Sequence, residues 1–116
     1  MVERIDEKTF QEKAEGTIRE IENALSRLED EYDLEVDNEG GALKVLFEEP
    51  PGTFVITPNG SARQIWVSAL ATSFKLDWSE EKGAFVFAGE QGPETLRELL
   101  SRLVTRQLGS PTPVPV

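Results

Sequence analysis

The 116-residue sequence contains no cysteine and no histidine. The first absence excludes disulfides, thiolate nucleophiles and cluster ligation by the chain's own sulfur. The second removes the side chain most used as a general base near neutral pH, and the two together exclude the usual zinc sites. No uninterrupted apolar stretch approaches the ~20 residues of a membrane-spanning helix, and the opening residues lack the apolar core of a signal peptide. The expectation is a cytosolic protein with no membrane contact. Basic residues are scarce as well: 12 Lys and Arg stand against 22 Asp and Glu, a net charge of −10. What is plentiful is core material. Hydrophobic residues make up 38% of the chain, with six Phe and two Trp, enough for one real core in a chain of single-domain length.

The negative charge is confined to one half. Residues 1–50 hold 16 acids and 6 bases, whereas residues 51–116 hold six of each, and seven acids fall between Glu29 and Glu39. Such a field repels nucleic-acid phosphates and attracts cations or a basic protein surface, so no nucleic-acid partner is expected. A solvated face that only keeps the protein soluble is the competing explanation.

Hydrophobic spacing predicts a helix over 6–29. Phe10, Ala14, Thr17, Ile18, Ile21, Leu25 and Leu28 form one apolar stripe, Asp6 is its N-cap, and Ile5 staples onto Phe10. The period then switches to two. Tyr32–Asp37, Leu43–Phe47, Thr53–Thr57, Arg63–Ala69, Phe74–Trp78 and Ala84–Ala88 read as strands, separated by turn signals at Asn38-Glu39-Gly40-Gly41, Pro50-Pro51-Gly52, Pro58-Asn59-Gly60 and residues 79–83. Gly92-Pro93-Glu94 is read as opening a second helix, buried along Leu96, Leu99, Leu100, Leu103, Val104 and Leu108 and ended by Gly109. Residues 1–109 then form one domain, and 110–116 a Pro-rich tail. Helix, five to six strands, helix is the pattern of an α+β two-layer sandwich, with both helices on one face of an antiparallel sheet.

The other face is left bare. With Ile65 and Val67 turned to the helices, Gln64, Trp66 and Ser68 face outward, and an indole among amide and hydroxyl groups is a typical binding anchor. Trp78 follows Phe74 and Leu76 in phase and is expected in the core.

Here the residues resemble a known family. Gly52-Thr53-Phe54-Val55-Ile56-Thr57, a turn, then Gln64-Ile65-Trp66-Val67-Ser68 is similar to the signature of frataxins. Asp77-Trp78, the Asp-x-x-x-Phe helix start, Tyr32-Asp33 and the Leu-x-x-Leu-Leu of the second helix fall in the family's order, so the resemblance spans about residues 5–108. A start just before the first helix resembles a bacterial, cytoplasmic member. The resemblance implies the same sandwich. It also implies a role in iron–sulfur cluster assembly: weak binding of iron, ferrous or ferric, on an acidic ridge, and docking on a cysteine desulfurase with its cluster scaffold.

Carried onto this chain, the resemblance places the ridge at Glu12, Glu15, Glu22, Glu29, Asp30, Glu31, Asp33 and Glu35, and partner contacts at Thr57, Asn59, Gln64, Trp66 and Lys75. Relatives commonly carry Asn where Thr57 stands, and acids where Arg19, Asn23, Ser26 and Arg27 stand. Arg19 is spaced to pair with Glu15. Glu15, Glu22 and Glu29 recur every seven residues, a rise of about 10.5 Å, too far for one ion to bridge. The expected metal binding is therefore that of a field, weak and labile. No catalytic residue is expected, since the carboxylates lie on exposed, convex elements with no apolar pocket to tune one for acid–base work. An acidic decoy that mimics DNA and iron storage by oligomerisation of an otherwise monomeric chain are the alternatives.

Overall fold

The computed structural model describes residues 5–48, 50–90 and 92–109. Helix α1 spans Glu7–Leu28 and helix α2 spans Leu96–Leu108. Between them run β1 (Leu34–Glu39), β2 (Ala42–Glu48), β3 (Pro51–Asn59), β4 (Gln64–Ala69), β5 (Thr72–Ser79), β6 (Ala84–Gly89) and β7 (Gly92–Thr95). The strands form one sheet in the order β1-β2-β3-β4-β5-β6-β7, each antiparallel to its neighbours. This is the expected two-layer α+β sandwich.

Sequence alternation sets which face packs. Leu43, Val45, Phe47, Phe54, Ile56, Ile65, Val67, Phe74, Leu76 and Phe85 turn one way and are buried in one core with both helix stripes. Phe85 is the hub: the Phe10 ring stands edge-on to it at 5.8 Å and the Trp78 ring at 5.2 Å. Trp78 is only half-buried; its indole N–H donates to Glu80 Oε1 at 2.9 Å, and the Lys13 ammonium lies 5.3 Å from its ring centroid. Asp6 caps α1 as predicted, accepting from the Thr9 N–H at 2.8 Å, and Ile5 packs against the core.

The structure moves several boundaries. β1 starts at Leu34 and not Tyr32, β3 takes in Pro51, Gly52, Pro58 and Asn59 from the turn signals, β4 starts at Gln64, and β5 spans Thr72–Ser79. Three further differences have a clear cause. The strand count is seven, because residues 92–95 pair with β6 instead of starting a helix. Pro93 is tolerated there because an outer edge needs no N–H from it. Helix α2 begins after Thr95, where a reciprocal box is decisive: Thr95 Oγ1 accepts from the Glu98 N–H and the Glu98 carboxylate accepts from the Thr95 N–H. At its far end Gln107, not Leu108, is fully packed, and its side chain donates to the Pro50 carbonyl at 2.8 Å. The first turn is also shorter than predicted. Asn38 and Glu39 belong to β1, leaving Gly40-Gly41 at φ 60° and 92° as a two-residue hairpin turn. The Pro-rich tail at 110–116 lies outside the described residues.

Candidate functional site

The acidic residues run along α1 and past its C-terminal end onto β1. Glu12, Glu15, Glu29, Asp30, Glu31, Asp33 and Glu35 are exposed and Glu22 is half-buried. Two of them are tied down. Glu29 Oε2 accepts from the Val36 N–H at 3.2 Å, and Glu22 Oε1 accepts from Asn38 Nδ2 at 2.9 Å. These exposed bonds link the end of α1 to the sheet edge and orient the two carboxylates toward β1. The ion pair that the sequence allows between Glu15 and Arg19 is not formed among the described residues. Beyond the ridge, Glu39 pairs with Lys44 at 3.2 Å, and the hydrogen bond from that ammonium holds the Glu39 carboxyl below the usual carboxylate range.

Oxygen donors of this kind suit iron chemically. Their arrangement does not form a cage: among the described residues no three carboxylates converge to hold an ion. The reason is geometric. Glu15, Glu22 and Glu29 are spaced about two turns apart, Asp33 precedes β1 and Glu35 lies on it with both exposed, and Glu22 and Glu29 spend oxygens on β1.

The bare face carries the second group. Thr57, Trp66 and Lys75 lie directly opposite one another across three strands, and the Lys75 ammonium sits 4.9 Å from the Trp66 ring centroid. The indole is half-buried and held at its polar end, where Nε1–H donates to Gln64 Oε1 at 2.8 Å. Gln64 in turn donates from Nε2 to Asp77 Oδ1 at 3.1 Å. The carboxylate accepts only from the amide nitrogen and the indole donates only to the amide oxygen, so the two ends of the relay fix the amide's orientation. The indole thus stands on the sheet in one orientation beside a cation.

Asp77 was not among the residues predicted for this face. Its position is set by the Gln64↔Asp77 register, which joins residues 13 apart and has no local signal. Asn59, predicted as a contact residue, accepts from the Ala62 N–H at 2.9 Å and so closes the β3–β4 turn. Thr57 Oγ1 reaches the Pro58 carbonyl only at 3.5 Å, which leaves its hydroxyl weakly engaged. A cleft of about 610 Å³ also opens between α1 and the β1–β2 and β3–β4 turns, with Phe10, Ala14 and Ile18 beneath it and Glu15, Arg19 and Glu22 at its rim. No sequence pattern pointed to it.

Comparison with known proteins gives this arrangement a family. The iron-sulfur cluster assembly protein CyaY of Pseudomonas aeruginosa is 29% identical over 111 residues, covering 96% of this chain and 98% of that protein. CyaY of Pseudomonas fluorescens is 31% identical over 96 residues, covering 80% of this chain and 84% of that one. The solved structure of frataxin from Psychromonas ingrahamii superposes with a TM-score of 0.78 over 97% of this chain and 100% of its own, at 18% identity, a likeness of fold. The frataxin-like domain matches residues 3–110. The chain belongs to the frataxin-like family.

Proposed function

We propose that this chain acts in iron–sulfur cluster assembly, in the cytoplasm of a bacterium, as a non-catalytic regulator. Relatives matched over most of their length are named iron–sulfur cluster assembly proteins. The observation that carries the reading is the separation of two surfaces on one domain: an acidic edge at α1 and β1, and an oriented indole on the open sheet. The edge attracts a basic surface over long range, which speeds encounter and weakens with salt. The indole supplies the desolvated anchor that fixes the complex. In this reading Trp66 seats at the junction of a cysteine desulfurase with its scaffold, with Thr57, Gln64 and Lys75 around it, and the edge meets a basic patch on the desulfurase.

Iron enters the reading as labile cargo. Separated hard carboxylates favour an ion that keeps most of its water and exchanges readily. The ridge residues Glu12, Glu15, Glu22, Glu29, Asp30, Glu31, Asp33 and Glu35 raise its local concentration without enclosing it.

The test is to add the chain to the cysteine desulfurase and scaffold of the same organism and follow sulfide release with and without ferrous iron. A changed rate that depends on the chain supports the reading. An unchanged rate in both conditions, together with no complex on sizing, refutes it.

A further inference from the structure

The two outer edges of the sheet are finished differently. On β7 the register with β6 turns the backbone of Pro93 and Thr95 outward. Pro93 has no N–H, and the Thr95 N–H donates to Glu98. No outward donor is left there among the described residues. On β1 the Glu39↔Ala42 pair closes the turn, so Glu35, Asp37 and Glu39 bond to β2 while Leu34, Val36 and Asn38 direct their N–H and C=O groups away from it. The Leu34 N–H is used by the Tyr32 carbonyl. The Val36 N–H is held by nothing more than the exposed Glu29 side chain, at 3.2 Å. The Asn38 N–H meets no acceptor among the described residues.

We propose that the β1 edge is a strand-addition site for an extended, lysine- or arginine-bearing segment of a protein partner. Self-pairing is opposed by charge, since two β1 strands side by side would juxtapose Glu35, Asp37 and Glu39 with their own kind. A basic segment reverses that sign. Residues of the incoming strand opposite Glu35 and Asp37 lie on the same open face as those acids and carry the basic side chains. The alternate residues, opposite Val36 and Asn38, supply the carbonyls and N–H groups that complete the ladder. The Glu29 carboxylate is a placeholder, displaced from the Val36 N–H by the partner's carbonyl and freed to meet a second cation. The inference rests on the docking half of the proposed function and adds the backbone conformation of the partner.

The test uses the full chain, labelled with nitrogen-15, and an eight-residue peptide alternating lysine and valine with blocked ends. A second peptide has the same sequence but carries N-methyl groups on its valines, which keeps the charge and removes the donors aimed at β1. The expected result is amide exchange at Val36 and Asn38 slowed about tenfold or more by the first peptide, and binding weakened about tenfold for the second. Equal binding of both peptides with unprotected Val36 and Asn38 amides means charge attraction alone and overturns the inference, as does binding of neither. A chain that pairs with the peptide yet ignores the desulfurase upholds strand addition and fails the docking reading. A chain that binds the desulfurase while Val36 and Asn38 still exchange freely fails strand addition alone.

Discussion

Replacing Trp66 with alanine separates docking from folding, and the structure sets the size of both effects. The ring lies on the open face, so its removal leaves the core around Phe85 and Leu76 untouched. What the fold loses is two cross-strand pairs, with Thr57 and with Lys75, each worth about 0.2–1 kcal/mol, and the indole's hydrogen bond to Gln64, which water at the open face largely replaces. A total near 1 kcal/mol lowers the melting temperature by about 4 °C in a domain of this size. Docking loses far more. A buried tryptophan anchor typically contributes about 2 kcal/mol or more, roughly thirtyfold in Kd. Trp66→Phe keeps the apolar ring but not the N–H bonded to Gln64 Oε1 at 2.8 Å, and is expected to cost about 1 kcal/mol, near fivefold. Gln64→Ala removes the same restraint from the other side, so combining it with Trp66→Phe adds little. Calorimetric titration into the desulfurase–scaffold complex at fixed salt, beside circular dichroism of each variant, gives all the numbers. A Trp66→Ala chain that is folded and binds within twofold of the parent would remove the indole from the interface and sink the reasoning.

Four further outcomes follow from the same geometry. Neutralising Glu29, Asp30, Glu31, Asp33 and Glu35 to their amides together is expected to abolish most ferrous-iron binding, read by titration under anaerobic conditions; unchanged binding clears the ridge of that role. Replacing Leu70-Ala71, which form a two-residue turn at φ 52° and 61° where side chains are strained, with Asn-Gly is expected to stabilise the fold by about 1–2 kcal/mol in urea unfolding. Thr95→Ala removes half of the reciprocal cap of α2 and is expected to cost about 1 kcal/mol by the same assay. Asp6 and Glu98 are held below the usual carboxylate range by hydrogen bonds, first of all from the backbone of Thr9 and Thr95. Lowered native values mean that their stabilisation is present above the unfolded carboxyl range and is lost as pH falls through the native one. Melting temperature should therefore fall below about pH 4 less steeply in an Asp6→Asn, Glu98→Gln variant than in the parent.

Much of this was legible in the residues because the signals are local. The period of 3.6 placed both helices, the period of two placed six of the strands and their inner faces, and the Asp6 cap needs only the three residues that follow it. The segregation of acid into the first half, the absence of cysteine and histidine, and the outward aspect of Gln64 and Trp66 are likewise properties of sequence order. Where the reading slipped, two local signals competed. Gly92-Pro93 fits a helix start as well as an edge strand, and a hydrogen-bonded partner on β6 settled it.

Tertiary structure alone decided the rest, because those contacts join residues far apart in the chain. Asp77 orients an indole through Gln64 only once β4 and β5 are in register. Glu22 and Glu29 become struts rather than free ligands only when α1 lies against β1. Among the described residues, the carboxylates' failure to converge, and the donors left along one sheet edge and not the other, are consequences of that packing. A sequence specifies which groups are charged; the fold specifies which of them are already spoken for.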